Sequence, residues 1–160
     1  MLAANETVAQ HLSKHKAPSI YRIHADPEDD KINNLVETAR FFGYRLPKHP
    51  SHIDIQRLLD KVKGKPISYI INLAYLKTMK LAEYSTRNIG HFGLASECYV
   101  HFTSPIRRYP DLTVHRALDL LNGKSPGKKE KTGLQQKLQQ IAEDCSETER
   151  KASEAENAPR

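Results

Sequence analysis

His101-Phe-Thr-Ser-Pro-Ile-Arg-Arg-Tyr-Pro-Asp-Leu-Thr-Val-His-Arg116 places two adjacent arginines at what reads as a helix start, where local electrostatics alone would not put them. Ser104 suits an N-cap, and Pro105, with its fixed φ and missing N–H, suits the first helical position. The apolar series Ile106, Leu112, Val114, Ala117, Leu118 and Leu121 then carries a helix to Asn122-Gly123. On this reading Arg107 and Arg108 occupy the first turn, at a cost of about 0.3–1 kcal/mol against the helix dipole. A bound anion offsets that cost, because free N–H groups and guanidinium forks together suit a phosphate. Asp111 lies one turn after Arg107 and His115 one turn after Asp111, so a carboxylate can orient one arginine and leave the other for a ligand. The alternative is that both arginines pair with acids of a neighbouring helix. Asp111 reads as an arginine partner rather than a proton-transfer group, and His115 as a structural histidine.

Upstream, residues 84–102 scatter Tyr84, Ile89, Phe92, Tyr99, Val100 and Phe102 among glycines and polar residues, which predicts two short strands joined by tight turns. Gly90 and Gly93 bracket His91-Phe92, so another chain or a ligand can approach the backbone there. His91 is either a ligand contact or a structural hydrogen-bonding group. Tyr99, His101 and Phe102 read as sheet and core residues. Downstream, residues 122–133 read as a flexible basic loop containing Lys124, Lys128, Lys129 and Lys131. That loop is either a solvated connection or a nonspecific contact for an anionic polymer. The final helix, 134 to about 155, carries Leu134, Leu138, Ile141, Ala142 and Cys145 on one stripe.

The first half of the chain reads as helices with one strand. A helix over 2–15 has Asn5 and Glu6 on its solvated face, and a short strand spans 19–24. Asp26-Pro-Glu-Asp-Asp30 reads as the capped, acidic start of a helix ending at Gly43, in preference to a cation site. Another helix covers 52–63, and His49 and His52 lack the companions a metal site needs. The helix predicted over 68–83 is apolar almost all round and is therefore expected to be buried in the core, with Met79 as filler. The fold class expected is mixed α+β, predominantly helical with a few short strands.

The uninterrupted run His91-Phe-Gly-Leu, a short spacer, then Tyr99-Val-His-Phe-Thr-Ser-Pro-Ile-Arg-Arg-Tyr-Pro-Asp111 and His115 resembles the signature of the ribonuclease II / ribonuclease R family. Met1-Leu-Ala-Ala-Asn-Glu-Thr-Val-Ala9, Tyr21-Arg-Ile-His24 and the Cys145 to Arg150 stretch with Thr148-Glu149-Arg150 extend the resemblance over most of the chain. It implies that residues 1–160 form the C-terminal portion of an RNB-type catalytic domain, without the metal-binding half or the OB-fold RNA-binding domains. The implied activity is processive 3′-to-5′ hydrolysis of single-stranded RNA to nucleoside 5′-monophosphates. Its cofactor would be Mg²⁺, held by aspartates in an upstream segment, so no metal ligand is expected among these residues and the piece alone is expected to be inactive. Arg107 is the implied catalytic residue. Arg108, His91, Ser104 and Tyr109 are implied RNA or phosphate contacts, with Asp111 and His115 supporting them. A non-catalytic RNA-binding or scaffolding fragment is the alternative.

At 160 residues and 18.2 kDa the length suits one ordinary domain, or a piece of one, and the net charge of +6 favours an anionic partner. Two cysteines without metal spacing suggest reduced thiols and a cytoplasmic setting. No apolar run reaches a membrane span, and no signal-peptide pattern opens the sequence. Oligomeric state is not legible.

Overall fold

A computed structural model of the chain describes residues 1–123 and 128–158, the side chains of 128–132 excepted. The elements run α1 (Leu2–Lys14), β1 (Tyr21–Ile23), α2 (Asp29–Phe41), α3 (His52–Val62), α4 (Ser68–Thr78), β2 (Glu83–Ser85), a 3₁₀ turn (Phe92–Leu94), α5 (Tyr109–Asn122) and α6 (Lys128–Asn157). This is the predominantly helical α+β class expected. Two compact units divide it, Met1–Ala25 with Ala82–Arg160, and Asp26–Leu81.

The first unit is built on a two-stranded antiparallel sheet in which Arg22 of β1 lies opposite Tyr84 of β2. Alternation along β1 buries Tyr21 and Ile23 against Ala9 and Leu12 of α1, Val100, and Val114 and Ala117 of α5. A second cluster joins Ile20 and Tyr84 to Leu138 and Ala142, with Leu134, Ile141 and Cys145 packed on it, which is the stripe that the α6 spacing predicted. Between β2 and α5 the backbone is mostly irregular. The second strand expected in 84–102 is replaced by the 3₁₀ turn and isolated bridges from His91 to His24 and Ser96. Cys98 and Cys145 are free thiols.

In the second unit α2 begins at Asp29 with Glu28, not Asp26, at its N-cap, so the capping role expected of Asp26 is not observed. Asp29 and Asp30 do occupy the first turn, where the dipole favours them. The helix ends as expected at Gly43, whose φ of +82° lets its N–H reach Arg40 O and that of Tyr44 reach Ala39 O. α3 starts with a reciprocal capping box between Ser51 and Asp54. The burial predicted for α4 is wrong. Only Ile71 and Thr78 are buried, Tyr69, Ile70, Leu73 and Leu76 are exposed, and Met79 is a partly covered terminal residue. Two neighbouring helices, α2 and α3, can cover only one side of a third, so an apolar circumference does not guarantee burial.

The predicted start of α5 also needs correction. The helix begins at Tyr109, and residues 105–107 form a turn in which the N–H groups of Arg107 and Arg108 reach Ser104 O at 3.3 and 3.1 Å. Pro110 explains the displacement. A helix from Pro105 would place Pro110 in its interior, where the ring clashes with the preceding turn and a hydrogen bond is lost; from Tyr109 it falls in the first turn, where neither matters. The basic loop expected over 122–133 is shorter than that, because α6 begins at Lys128 and takes in residues 128–133; residues 124–127 of it, and the side chains of Lys128, Lys129 and Lys131, lie outside the described residues.

Candidate nucleic-acid interface

Asp111 organises the arginine turn. It is completely buried, and its Oδ1 accepts the Ser104 N–H at 2.8 Å. The Arg108 guanidinium grips the same carboxylate twice, Nε to Oδ2 and Nη2 to Oδ1, each at 2.8 Å. The bond to Asp111 also raises the Arg108 pKa above its usual value, with desolvation opposing it. Arg108, with 24% of its side chain exposed, is therefore committed to an acid. Arg107 differs. It is exposed and has no ion pair or side-chain hydrogen bond among the described residues, while Ile106 beside it is wholly exposed.

Two further side chains hold the irregular backbone leading into the turn. Asn5, only 3% exposed, donates its amide to Tyr99 Oη at 2.8 Å and accepts the Phe102 N–H at 3.1 Å. The solvated position expected for Asn5 is thus wrong, and a signal was available: Asn5, Ala9 and Leu12 share one face of α1 at spacings of four and three. His115 stacks on Phe102 with ring centroids 4.3 Å apart, and its Nε2 lies 3.0 Å from Phe102 O. A carbonyl only accepts, so Nε2 carries the proton. Asn5, His115 and Asp111 together satisfy the Phe102 N–H, the Phe102 carbonyl and the Ser104 N–H.

His91 belongs to a separate run of rings. Its ring centroid is 5.2 Å from His24 and 5.6 Å from Tyr99; Tyr99 is 5.9 Å from His101, and His101 is 5.7 Å from Tyr84. Burial, then the charges of His24 and Arg22, lower the His91 pKa to about 4. Burial, then Arg108 and Arg22, bring His101 to about 4 as well. Both rings are neutral near pH 7 and carry no positive charge there. The buried Nδ1 of His91 has no hydrogen-bond partner among the described residues. Tyr84 shares a hydrogen bond of 3.0 Å with His101 Nδ1, and burial pushes its hydroxyl up to about 12.

Arg22 lies 4.6 Å from the centre of the Tyr84 ring and forms a forked pair with Glu149 at 2.5 and 3.0 Å. This pair ties β1 to α6, a role for Arg22 that sequence reasoning missed. Ser104 has both backbone groups engaged in the turn. Tyr109 is 48% exposed and lines a crevice of about 250 Å³ between α5 and α6, with Pro18, Thr113, Ala117 and Leu138. Asp111 thus joins Ser104 and Arg108, His91 falls in the ring run, and Tyr109 faces the crevice. Among the described residues no three His, Cys, Asp or Glu side chains assemble as a metal set, and no helix is long and apolar enough to cross a membrane.

Comparison with known proteins gives this geometry a family. A family model described as the RNB domain matches residues 1–123. Ribonuclease R 1 of Lactococcus lactis is 44% identical over 160 residues, covering 98% of this chain and 20% of that protein. Ribonuclease R of Thermotoga maritima is 45% identical over 98% of this chain and 22% of its own length. The chain thus spans about a fifth of the relatives it matches. Among solved structures, Mycoplasma genitalium RNase R in complex with ribose methylated single-stranded RNA aligns with a TM-score of 0.79 at 35% identity, covering 93% of this chain and 24% of that one. Yeast Ssd1, a pseudonuclease, aligns with a TM-score of 0.76 at 26% identity, covering 89% of this chain and 18% of that one. With the RNB model matching 123 of 160 residues, among them the whole of Phe102 to His115, this chain belongs to the RNB domain family and is of the ribonuclease R type.

Proposed function

We propose that this chain is the C-terminal portion of the RNB catalytic domain of a 3′-to-5′ exoribonuclease that hydrolyses single-stranded RNA to nucleoside 5′-monophosphates. Its part in the reaction is to clamp phosphate. The observation that carries this reading is the unequal fate of the two arginines: buried Asp111 takes Arg108, and Arg107 stands exposed and unpaired beside it. Arg107 would hold the scissile phosphate with a bidentate fork and stabilise the charge that grows on its oxygens. Arg108 would stiffen the turn and add positive potential. Neutral His91 would donate a hydrogen bond to a ribose or phosphate oxygen, while the Ser104 hydroxyl and the Tyr109 ring would contact the adjoining nucleotides.

The Mg²⁺ of such a reaction does not fit the described residues, which form no metal set. It would be held by carboxylates outside this chain, and the 160-residue piece alone should leave single-stranded RNA intact. In the longer enzyme, Arg107→Ala should reduce turnover about 10²–10³-fold, as loss of one preorganised donor does, with far less effect on RNA affinity. Arg107→Lys keeps the charge without the fork and should recover only part. Equal losses in turnover and affinity would reduce Arg107 to a binding residue.

The resemblance to a pseudonuclease favours a second reading, a non-catalytic RNA-binding or scaffolding protein on the same framework. A longer protein that binds single-stranded RNA but releases no mononucleotide with Mg²⁺ present would decide for it.

A further inference from the structure

We propose that Asn5 is a positioning residue for Arg107, acting through the backbone of residues 99–104; this rests on the reading of Arg107 as the phosphate clamp. Residues 100–104 belong to no helix or strand, and side chains meet the Phe102 N–H, the Phe102 carbonyl and the Ser104 N–H. The Arg22 N–H of β1 holds the Tyr99 carbonyl at 2.9 Å, and among the described residues Asn5 supplies the anchor from outside α5 for the stretch that follows, 102–104. Its Oδ1 fixes the Phe102 N–H, five residues before Arg107, while His115 and Asp111 bind Phe102 O and Ser104 N–H from α5 itself.

The chemistry selects an amide. Phe102 needs an acceptor, and the bond to Tyr99 Oη is made by the amide donor; a primary amide supplies one of each in a fixed plane. Tyr99 is itself only 6% exposed and wedged between the rings of His91 and His101, so the amide is oriented by a group that cannot move away. Anchoring from α5 alone leaves 102–104 free to rotate with the turn. Adding α1 holds the segment from two sides and fixes where the exposed Arg107 is displayed. Small displacements matter for such a group, since a shift of about 1 Å can cost on the order of 10²-fold in rate.

The test is a double-mutant cycle in the longer enzyme, read by single-turnover cleavage of single-stranded RNA and by RNA affinity. Asn5→Ala should slow cleavage about 10- to 10²-fold while changing the dissociation constant less than about twofold. Because Asn5 acts through Arg107, the same substitution in an Arg107→Ala background should change the rate less than about twofold. Tyr99→Phe leaves the Phe102 bond in place and should show a smaller loss that also vanishes in the Arg107→Ala background; it carries the cycle if Asn5→Ala does not fold. A full loss from Asn5→Ala on top of Arg107→Ala would overturn the proposal and leave the Arg107 reading standing. An Arg107→Ala enzyme with undiminished turnover would overturn both.

Discussion

Replacing Asp111 with alanine removes a fully buried carboxylate that accepts three charge-assisted hydrogen bonds, two from Arg108 and one from the Ser104 N–H. Hydrogen bonds to charged groups contribute about 1.5–3 kcal/mol each, but these share one carboxylate and do not add. Breaking a buried pair from one side costs about 3–5 kcal/mol, because the remaining charge is left without compensation. Arg108 keeps 24% of its side chain in solvent and can turn outward, which places the expected loss at the lower end, about 3 kcal/mol. The Ser104 N–H, on half-buried backbone, cannot swing outward as a side chain can. With a urea m-value of about 2 kcal/mol per molar, the midpoint should fall by about 1.5 M. Asp111→Asn retains one acceptor and should lose about half as much. Circular dichroism near 222 nm suits a helical chain without tryptophan. A midpoint within about 0.25 M of wild type for Asp111→Ala, about 0.5 kcal/mol at that m-value, would show that the buried fork stabilises nothing and that the turn stands without it.

His91 and His101, both lowered to about 4 from an ordinary 6.5, favour the neutral ring in the folded state. Above pH 6.5 their contribution is fully present; as the pH falls toward 4 the unfolded chain takes up protons that the native chain refuses, so stability declines across that window. Urea midpoints at pH 7 and pH 5 measure the decline, and His101→Gln should flatten it; an unchanged slope removes His101 as its source. The lowered carboxylates Glu28, Asp54 and Glu147 add a loss in the same direction at lower pH, below their ordinary 3.8 to 4.5. Ser51→Ala takes away the α3 capping box and should cost about 1 kcal/mol, read as a lower midpoint for helix loss; no change would mean that the cap is replaced by solvent. Glu149→Ala breaks the fork on Arg22, and because Glu149 is 47% exposed the loss should be about 1 kcal/mol or less. A double-mutant cycle with Arg22→Gln measures the coupling, and a coupling near zero would show that the Tyr84 ring alone holds Arg22.

Periodicity made α1, α2, α3 and α6 legible, because each buries one continuous stripe against the core of its own unit. It misled at α4, where composition states what could be buried and only the arrangement of α2 and α3 states what is. At residues 84–102, aromatic spacing suggested two strands. Gly90 at φ +84° and Ala95 at φ +49° bend that backbone away from extended geometry, and its polar groups around these residues go to His24, Asn88 and one another. The contacts of Asn5 with Tyr99 and of Arg22 with Glu149 cross 94 and 127 residues, distances over which no local pattern carries information. The family signature located the arginines, and the position of Pro110 could have located the helix start.

That later start has a consequence for the arginine pair. Two successive residues in a first helical turn point about 100° apart and crowd the same end of the helix, which would leave both guanidinium groups near Asp111 and near each other. Arg108 instead lies in extended backbone, with φ −126° and ψ 118°, just ahead of the helix. Arg107 precedes it in the 105–107 turn, so the two arginines do not share a helical turn. Arg108 faces a buried carboxylate three residues on, already oriented by the Ser104 N–H. Arg107, in the turn ahead of the helix, stays exposed while Arg108 takes the carboxylate. A Pro110→Ala substitution tests the point. It removes the barrier to extending α5 backward, and if the helix then grows through Arg107, amide protection should appear at residues 110 and 111 while the Arg108 fork weakens. An unchanged protection pattern would show that Asp111 and Asn5 hold the extended segment without help from the proline.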